Sequence, residues 1–176
     1  LHGVQGVAGS NPAVPTKSEL SRDGSFMIWL ECKIPPPIIV ILAGILNLGL
    51  TTYSAALFEP PWALISALGV LSGILGIGGV LACIQRGTTI HPRKPHETEV
   101  LVTSGVYRFT RNPMYLGLML LLSAYYLLQP TPFSPFGLLG VLWYLTRFQI
   151  VPEERVLAEK FGDLYLQYKQ TVRRWI

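Results

Sequence analysis

Charge is what this sequence has least of. Asp, Glu, Lys and Arg make up 14% of its 176 residues, while half of all residues are hydrophobic. An ordinary soluble domain carries roughly a quarter charged residues, so the balance, with a mean hydropathy of +0.41, points to a membrane protein. Cysteine is nearly absent too. Cys32 and Cys83 stand far apart with no His or Cys at ligand spacing, which excludes a disulfide framework or a zinc site and leaves no metal expected. His91 and His96 lie in a Pro-rich loop, also without metal-ligand spacing, and take no role. The net charge of +4 is modest, no nucleic-acid partner is expected, and there is no internal repeat.

The gaps between charges organise the chain. None falls between Lys33 and Glu59, between Glu59 and Arg86, or from Asn112 to Thr146. A spanning helix needs about 20 apolar residues, so the first two gaps hold one span each, at about 37–58 and 62–84. Glu59-Pro60-Pro61 reads as a tight turn between them. The third gap is broken by Gln129-Pro-Thr-Pro-Phe-Ser-Pro135, whose prolines end one helix and start another. It divides into spans at about 113–129 and 135–151. The expected fold is an all-α membrane protein of four transmembrane helices followed by a C-terminal amphipathic helix.

Every Lys and Arg falls on one side of this arrangement: the N-terminus, the 85–111 loop, and the stretch from Arg147 onward. By the positive-inside rule the protein is multi-pass with both termini cytoplasmic. Residues 1–26, rich in Gly, Ser and Pro without apolar period, read as a disordered extension lacking the apolar run of a secretory signal. Met27 reads as the natural start. Residues 27–97 then form an N-terminal transmembrane hairpin and loop, and 98–176 a catalytic half. Gly73-Ile-Leu-Gly76-Ile-Gly78-Gly79 lies mid-span rather than after a strand, so it is not a dinucleotide loop. Gly69 with Gly73, and Ser72 with Gly76, have the small-xxx-small spacing that lets helices approach closely. Beyond Pro152, Leu157, Phe161, Leu164, Tyr168 and Val172 recur at helical spacing, with Gly162 marking a bend. Arg173-Arg174-Trp175 suits a helix on or near an anionic membrane surface, and a solvated packing helix fits the same pattern equally well.

Polar groups collect where charged loop meets apolar span. Gly105 permits a tight turn, and Tyr107, Arg111, Asn112 and Tyr115 supply hydrogen-bonding groups beside it. Pro113 starts a helix whose first amides are free for a ligand. Arg147 is the single charge within the fourth apolar segment, and Glu153-Glu154 follow Pro152.

Leu101-Val-Thr-Ser-Gly-Val-Tyr-Arg-Phe-Thr-Arg-Asn-Pro-Met-Tyr-Leu-Gly117 resembles the box Gly-x-Tyr-x-x-x-Arg-His-Pro-x-Tyr-x-Gly of the integral-membrane methyltransferases. That family includes the isoprenylcysteine carboxyl methyltransferases and, more distantly, the phospholipid methyltransferases. Glu153-Glu154-Arg-Val-Leu157, with Phe161-Gly162, Tyr165 and Tyr168, resembles its second box. The resemblance covers about residues 98–174. It implies an S-adenosylmethionine pocket facing the cytoplasm, without a Rossmann domain, and a lipid-like or small hydrophobic methyl acceptor drawn from the bilayer. Carried over by position, Val100, Leu101 and Val102 would line the cofactor, with Tyr107, Arg111, Asn112, Pro113, Tyr115 and Glu154 contacting it. Glu154 or Glu153 would take a proton from an amine acceptor, and Arg147 would hold an anionic acceptor group. The family's usual His is Asn112 here, which can donate and accept hydrogen bonds but cannot titrate near neutrality. The arginine that carboxyl methyltransferases place shortly before the Glu pair has no same-spaced match; Gln149 stands nearest, with Arg147 two residues earlier. Membrane sterol reductases share the C-terminal architecture and imply NADPH instead, and a non-catalytic membrane protein would bind neither cofactor.

Overall fold

The computed structural model describes residues 31–54, 56–87 and 100–176. The N-terminal extension, the Met27 start and the two loop histidines lie outside them. Among the described residues the fold is helical throughout, without a strand. In chain order come α1 (Pro36–Thr51), α2 (Trp62–Gln85), a 3-10 turn (Gly105–Arg108), α3 (Pro113–Leu128), α4 (Ser134–Leu145), a π turn (Thr146–Ile150), α5 (Val151–Phe161) and α6 (Asp163–Thr171).

α3 is the central helix. On one side it meets α2 at backbone distance: a Cβ on Gly117 would lie 3.0 Å from Gly76 N and Ser72 O. The Ser72 hydroxyl donates to the Gly117 carbonyl at 2.8 Å. Ser72 and Gly76 thus make the close approach their spacing implies, and α2 runs unbroken through the glycine stretch. Gly69 and Gly73 point into open space instead. On its other side α3 packs Tyr115, Met119, Leu122 and Tyr126 against Val40 of α1 and Val141, Leu145 and Ile150.

Much of the remaining apolar surface faces outward. Ile41, Leu42, Ile45 and Leu46 on α1 and Val70, Ile74, Ile77 and Ile84 on α2 are all exposed. A soluble monomer rarely shows so continuous an apolar surface.

α2 alone among the described helices is long and apolar enough to cross a membrane; its 24 residues reach about 36 Å. α1 and α3 have 16 residues each. The expected first span, to residue 58, therefore ends early, and the connector to α2 is longer than the three-residue turn expected. Tertiary hydrogen bonds stop α1, not a local breaker. Asn47 is buried and donates to the Gln129 carbonyl at 3.0 Å, while its own amide oxygen accepts from Thr131 and Ser134. The Leu57 N–H then pairs with Pro130 O at 3.3 Å.

At the other end, α4, the π turn and α5 follow one another without interruption. Pro152 therefore does not open a new helix. A proline inside a helix has no N–H to donate and clashes with the carbonyl four residues back, and the wider π turn relieves that clash. The stranded carbonyl, Phe148 O, accepts the Cys32 N–H at 2.9 Å. Gln149, fully buried, donates to Ile34 O at 2.8 Å. Gly162, at φ 50°, separates α5 from α6, as expected of the bend there.

Candidate functional site

The end of α2, the segment before α3, the π turn and the C-terminal helices converge at one end of the bundle. Gly105, at φ 63°, turns the chain into the 3-10 turn, a conformation glycine adopts without Cβ strain. This turn buries Tyr107 between Cys83 and Val102. The Tyr107 hydroxyl shares a 3.3 Å hydrogen bond with Cys83 Sγ, and its carbonyl accepts from the Tyr168 hydroxyl at 2.7 Å. Burial, then the bond to Cys83, pushes the Tyr107 phenol far up, so it stays protonated.

Glu153 and Glu154, adjacent in sequence, enter different surroundings. Glu154 is 7% exposed. The Arg174 guanidinium grips its carboxylate with both branches, at 2.9 and 2.8 Å. Arg111 approaches within 3.2 Å and Lys169 within 3.9 Å. Arg174 is pushed up by its bonds to Glu154. Arg111 also donates to the Tyr165 hydroxyl at 3.5 Å, and burial, followed by the charge of Glu154, raises that phenol to about 12.

Glu153 has no ion-pair partner among the described residues. The Tyr115 hydroxyl donates to it. Its residue is half-buried, but its carboxyl is crowded by protein atoms. Burial raises it to about 8, with the Tyr115 hydrogen bond pulling down and the charge of Glu154 pushing up. Cys32 lies alongside, its thiol raised to about 12 by burial, then by Glu153 and Glu31.

Most of the residues singled out from sequence thus meet: Tyr107, Arg111, Asn112, Pro113, Tyr115, Glu153 and Glu154 all bound this end. Val102 joins the Tyr107 cluster, Leu101 is half-buried, and Val100 is exposed. Arg147 is turned elsewhere. It bonds Glu31 at 3.0 Å, over the Phe148 ring, and Glu31 also reaches Arg155 at 3.7 Å. Asn112 does not point into open space; its amide donates to the Arg174 carbonyl at 2.9 Å.

The C-terminal residues correct the sequence reading most. Arg174 and Trp175 do not lie outward toward a surface: Arg174 turns to Glu154, and Trp175 packs on the central core. No periodicity forecasts this, because the chain has left the helix at Thr171. Cys83 and Lys169 were likewise missed. Only the neighbouring helix and the bend at Gly162 bring them in.

The described helices turn many large apolar side chains outward, and one of them is long and apolar enough to cross a membrane. Residues 62–164, more than half of the chain, match the family model "Phospholipid methyltransferase". The chain is 32% identical over 106 residues to the protein-S-isoprenylcysteine O-methyltransferase of Schizosaccharomyces pombe, covering 57% of this chain and 45% of the relative. It is 37% identical over 79 residues to the Saccharomyces cerevisiae protein of that name, covering 45% and 33%. An uncharacterised Haemophilus influenzae protein is 43% identical over its whole length, 36% of this chain. The chain belongs to the family of phospholipid and isoprenylcysteine methyltransferases. It spans a third to about half of the two yeast enzymes. No solved structure matches it.

Proposed function

We propose that this protein is an integral-membrane, S-adenosylmethionine-dependent methyltransferase acting on a lipid-like acceptor. Residues 98–176 form its catalytic half and 27–97 its membrane hairpin. Four segments cross the bilayer, with α4 and the π turn as the fourth and both termini cytoplasmic. The outward apolar faces of α1 and α2 support the membrane setting, since lipid is the solvent that such faces fit. The relatives' isoprenylcysteine acceptor supports a lipid-modified or lipid-like nucleophile.

One observation carries the cofactor reading. Arg111 Nε is a buried donor that finds no acceptor among the described residues, at the edge of the Glu154 cluster. A buried polar group left unpaired costs about 1–3 kcal/mol, so this end of the fold suits a ligand carrying both charges. Glu154, Arg111 and Tyr107 would hold such a cofactor, with Asn112, Pro113, Val102 and Leu101 around it.

S-adenosylmethionine supplies an electrophilic methyl carbon on a sulfonium. The protein's part is chiefly to hold both partners in attack geometry. A carboxylate or thiolate acceptor brings no proton to remove. For an amine or thiol, Glu153 is the proton acceptor, because Glu154 is occupied by its cations. Tyr115 orients the Glu153 carboxyl, and Arg147 takes an anionic acceptor group in exchange for Glu31.

Calorimetry of S-adenosylhomocysteine against detergent-purified protein tests this, with NADPH as comparison. Saturable binding that weakens at least about tenfold in Glu154→Gln is expected, with Tyr107→Phe weakening it less. Binding of NADPH in place of the homocysteine compound would overturn the reading.

A further inference from the structure

The end of the chain meets Glu154 in a way neither sequence box covers. One carboxylate faces three cations, Arg111, Lys169 and Arg174. The surplus is not simply solvated: the Arg111 side chain is 7% exposed, and its Nε lacks an acceptor among the described residues. Nor is Arg174 a loose surface side chain. The Arg173 carbonyl accepts the Arg111 N–H at 3.0 Å, and the Arg174 carbonyl accepts from Thr110 and Asn112 at 3.2 and 2.9 Å. Trp175 beyond it packs on the core. These bonds hold the Arg174 guanidinium against Glu154.

The cluster therefore has donors to spare and is short of acceptor oxygens, while presenting one anchored carboxylate. An α-amino-acid group matches both features. Its ammonium finds Glu154, and its carboxylate offers two oxygens to guanidinium N–H groups, whose planar fork suits it.

We propose that Arg174, together with Arg111, forms the anion-binding half of a clamp for the amino-acid end of the cofactor, with Glu154 as its cation-binding half. Asn112, where the family carries His, is the positioning residue that fixes the Arg174 backbone. The proposal rests on the cofactor reading above and adds to it the last residues of the chain.

Two compounds separate binding through the carboxylate from any structural role. One is S-adenosylhomocysteine. The other is its decarboxylated analogue, 5′-deoxy-5′-(3-aminopropylthio)adenosine, which keeps the ammonium but lacks the carboxylate. Calorimetry on full-length protein in detergent is expected to show wild type preferring S-adenosylhomocysteine by roughly tenfold or more. Arg174→Ala is expected to weaken that compound by roughly ten- to a hundredfold, while changing the analogue less than about twofold. Arg174→Lys, which keeps the charge but not the fork, falls between. Equal losses for both compounds in Arg174→Ala would make Arg174 a structural residue and overturn the clamp. So would wild type binding both equally, a comparison that needs no variant to fold. Failure of wild type to bind S-adenosylhomocysteine at all would instead remove the cofactor reading, and the clamp with it.

Discussion

Glu153→Gln should make the protein more stable at high pH and leave it nearly unchanged at low pH. The Glu153 carboxyl is raised to about 8 from an ordinary 4.5, chiefly by burial. Each pKa unit corresponds to about 1.4 kcal/mol. Ionising Glu153 within the fold thus costs on the order of 5 kcal/mol relative to the unfolded chain. Because the folded value lies above the unfolded one, the stability is fully present below pH 4.5 and is lost as pH rises through about 8. Glutamine has the shape of the protonated carboxyl and still offers Tyr115 an oxygen, so it removes the titration and little else. Thermal unfolding of both proteins in one detergent, from pH 5 to pH 9 in steps of about one unit, reads the difference between them. Other titrating groups are common to both and cancel. The two melting curves should nearly coincide at the acid end and separate steadily toward the alkaline end, with the variant melting higher. Parallel pH profiles would mean Glu153 does not titrate in this window. A wild type more stable than the variant at pH 9 would mean the carboxylate has a cation partner, and would refute the assignment of Glu153 as the proton acceptor. Tyr115→Phe sharpens the case, since it removes the one contact pulling the value down and should move the midpoint further up.

Gly117→Ala should cost roughly 1–3 kcal/mol, seen as a lowered melting temperature, because its Cβ would meet the backbone of Ser72 and Gly76 at 3.0–3.1 Å, with no flexible side chain to yield; an unchanged melting point would mean α2 and α3 do not approach so closely. Asn47→Ala should cost roughly 2–4 kcal/mol by the same assay, because it strands the Gln129 carbonyl and removes the acceptor shared by Thr131 and Ser134; a neutral result would mean water reaches that turn.

What was legible in the sequence was whatever charge and proline encode locally. The uncharged windows Lys33–Glu59 and Glu59–Arg86 each hold a helix, and in the third, from Asn112 to Thr146, the prolines from 130 to 135 divide α3 from α4. Each box of the family pattern supplies one side of the Glu154 cluster. The rest depends on groups distant in sequence. Nothing between Thr51 and Glu59 breaks a helix in itself; α1 stops because Asn47 and Leu57 find partners in the turn before α4. Likewise Pro152 looks like a helix start until the Cys32 N–H is seen on the carbonyl it strands. With that carbonyl satisfied from outside, the helix has no reason to end there.

That continuity bears on the chemistry. A helix beginning at Pro152 would present free amides to Glu153 and Glu154, and both carboxylates would be explained as dipole partners. In a continuous helix those amides are not a free end: the Val151 N–H already returns to Thr146 O. Neighbouring side chains point about 100° apart around the axis, so two adjacent glutamates cannot share one environment. Glu154 falls toward α6 and the arginines, while Glu153 falls toward Tyr115 and Cys32. In the proposed reaction, a fixed carboxylate that binds charge and a neighbouring carboxylate free to take a proton from the acceptor are distinct requirements. One step along a helix separates them, and of the two it is Glu153 that meets α3, through Tyr115.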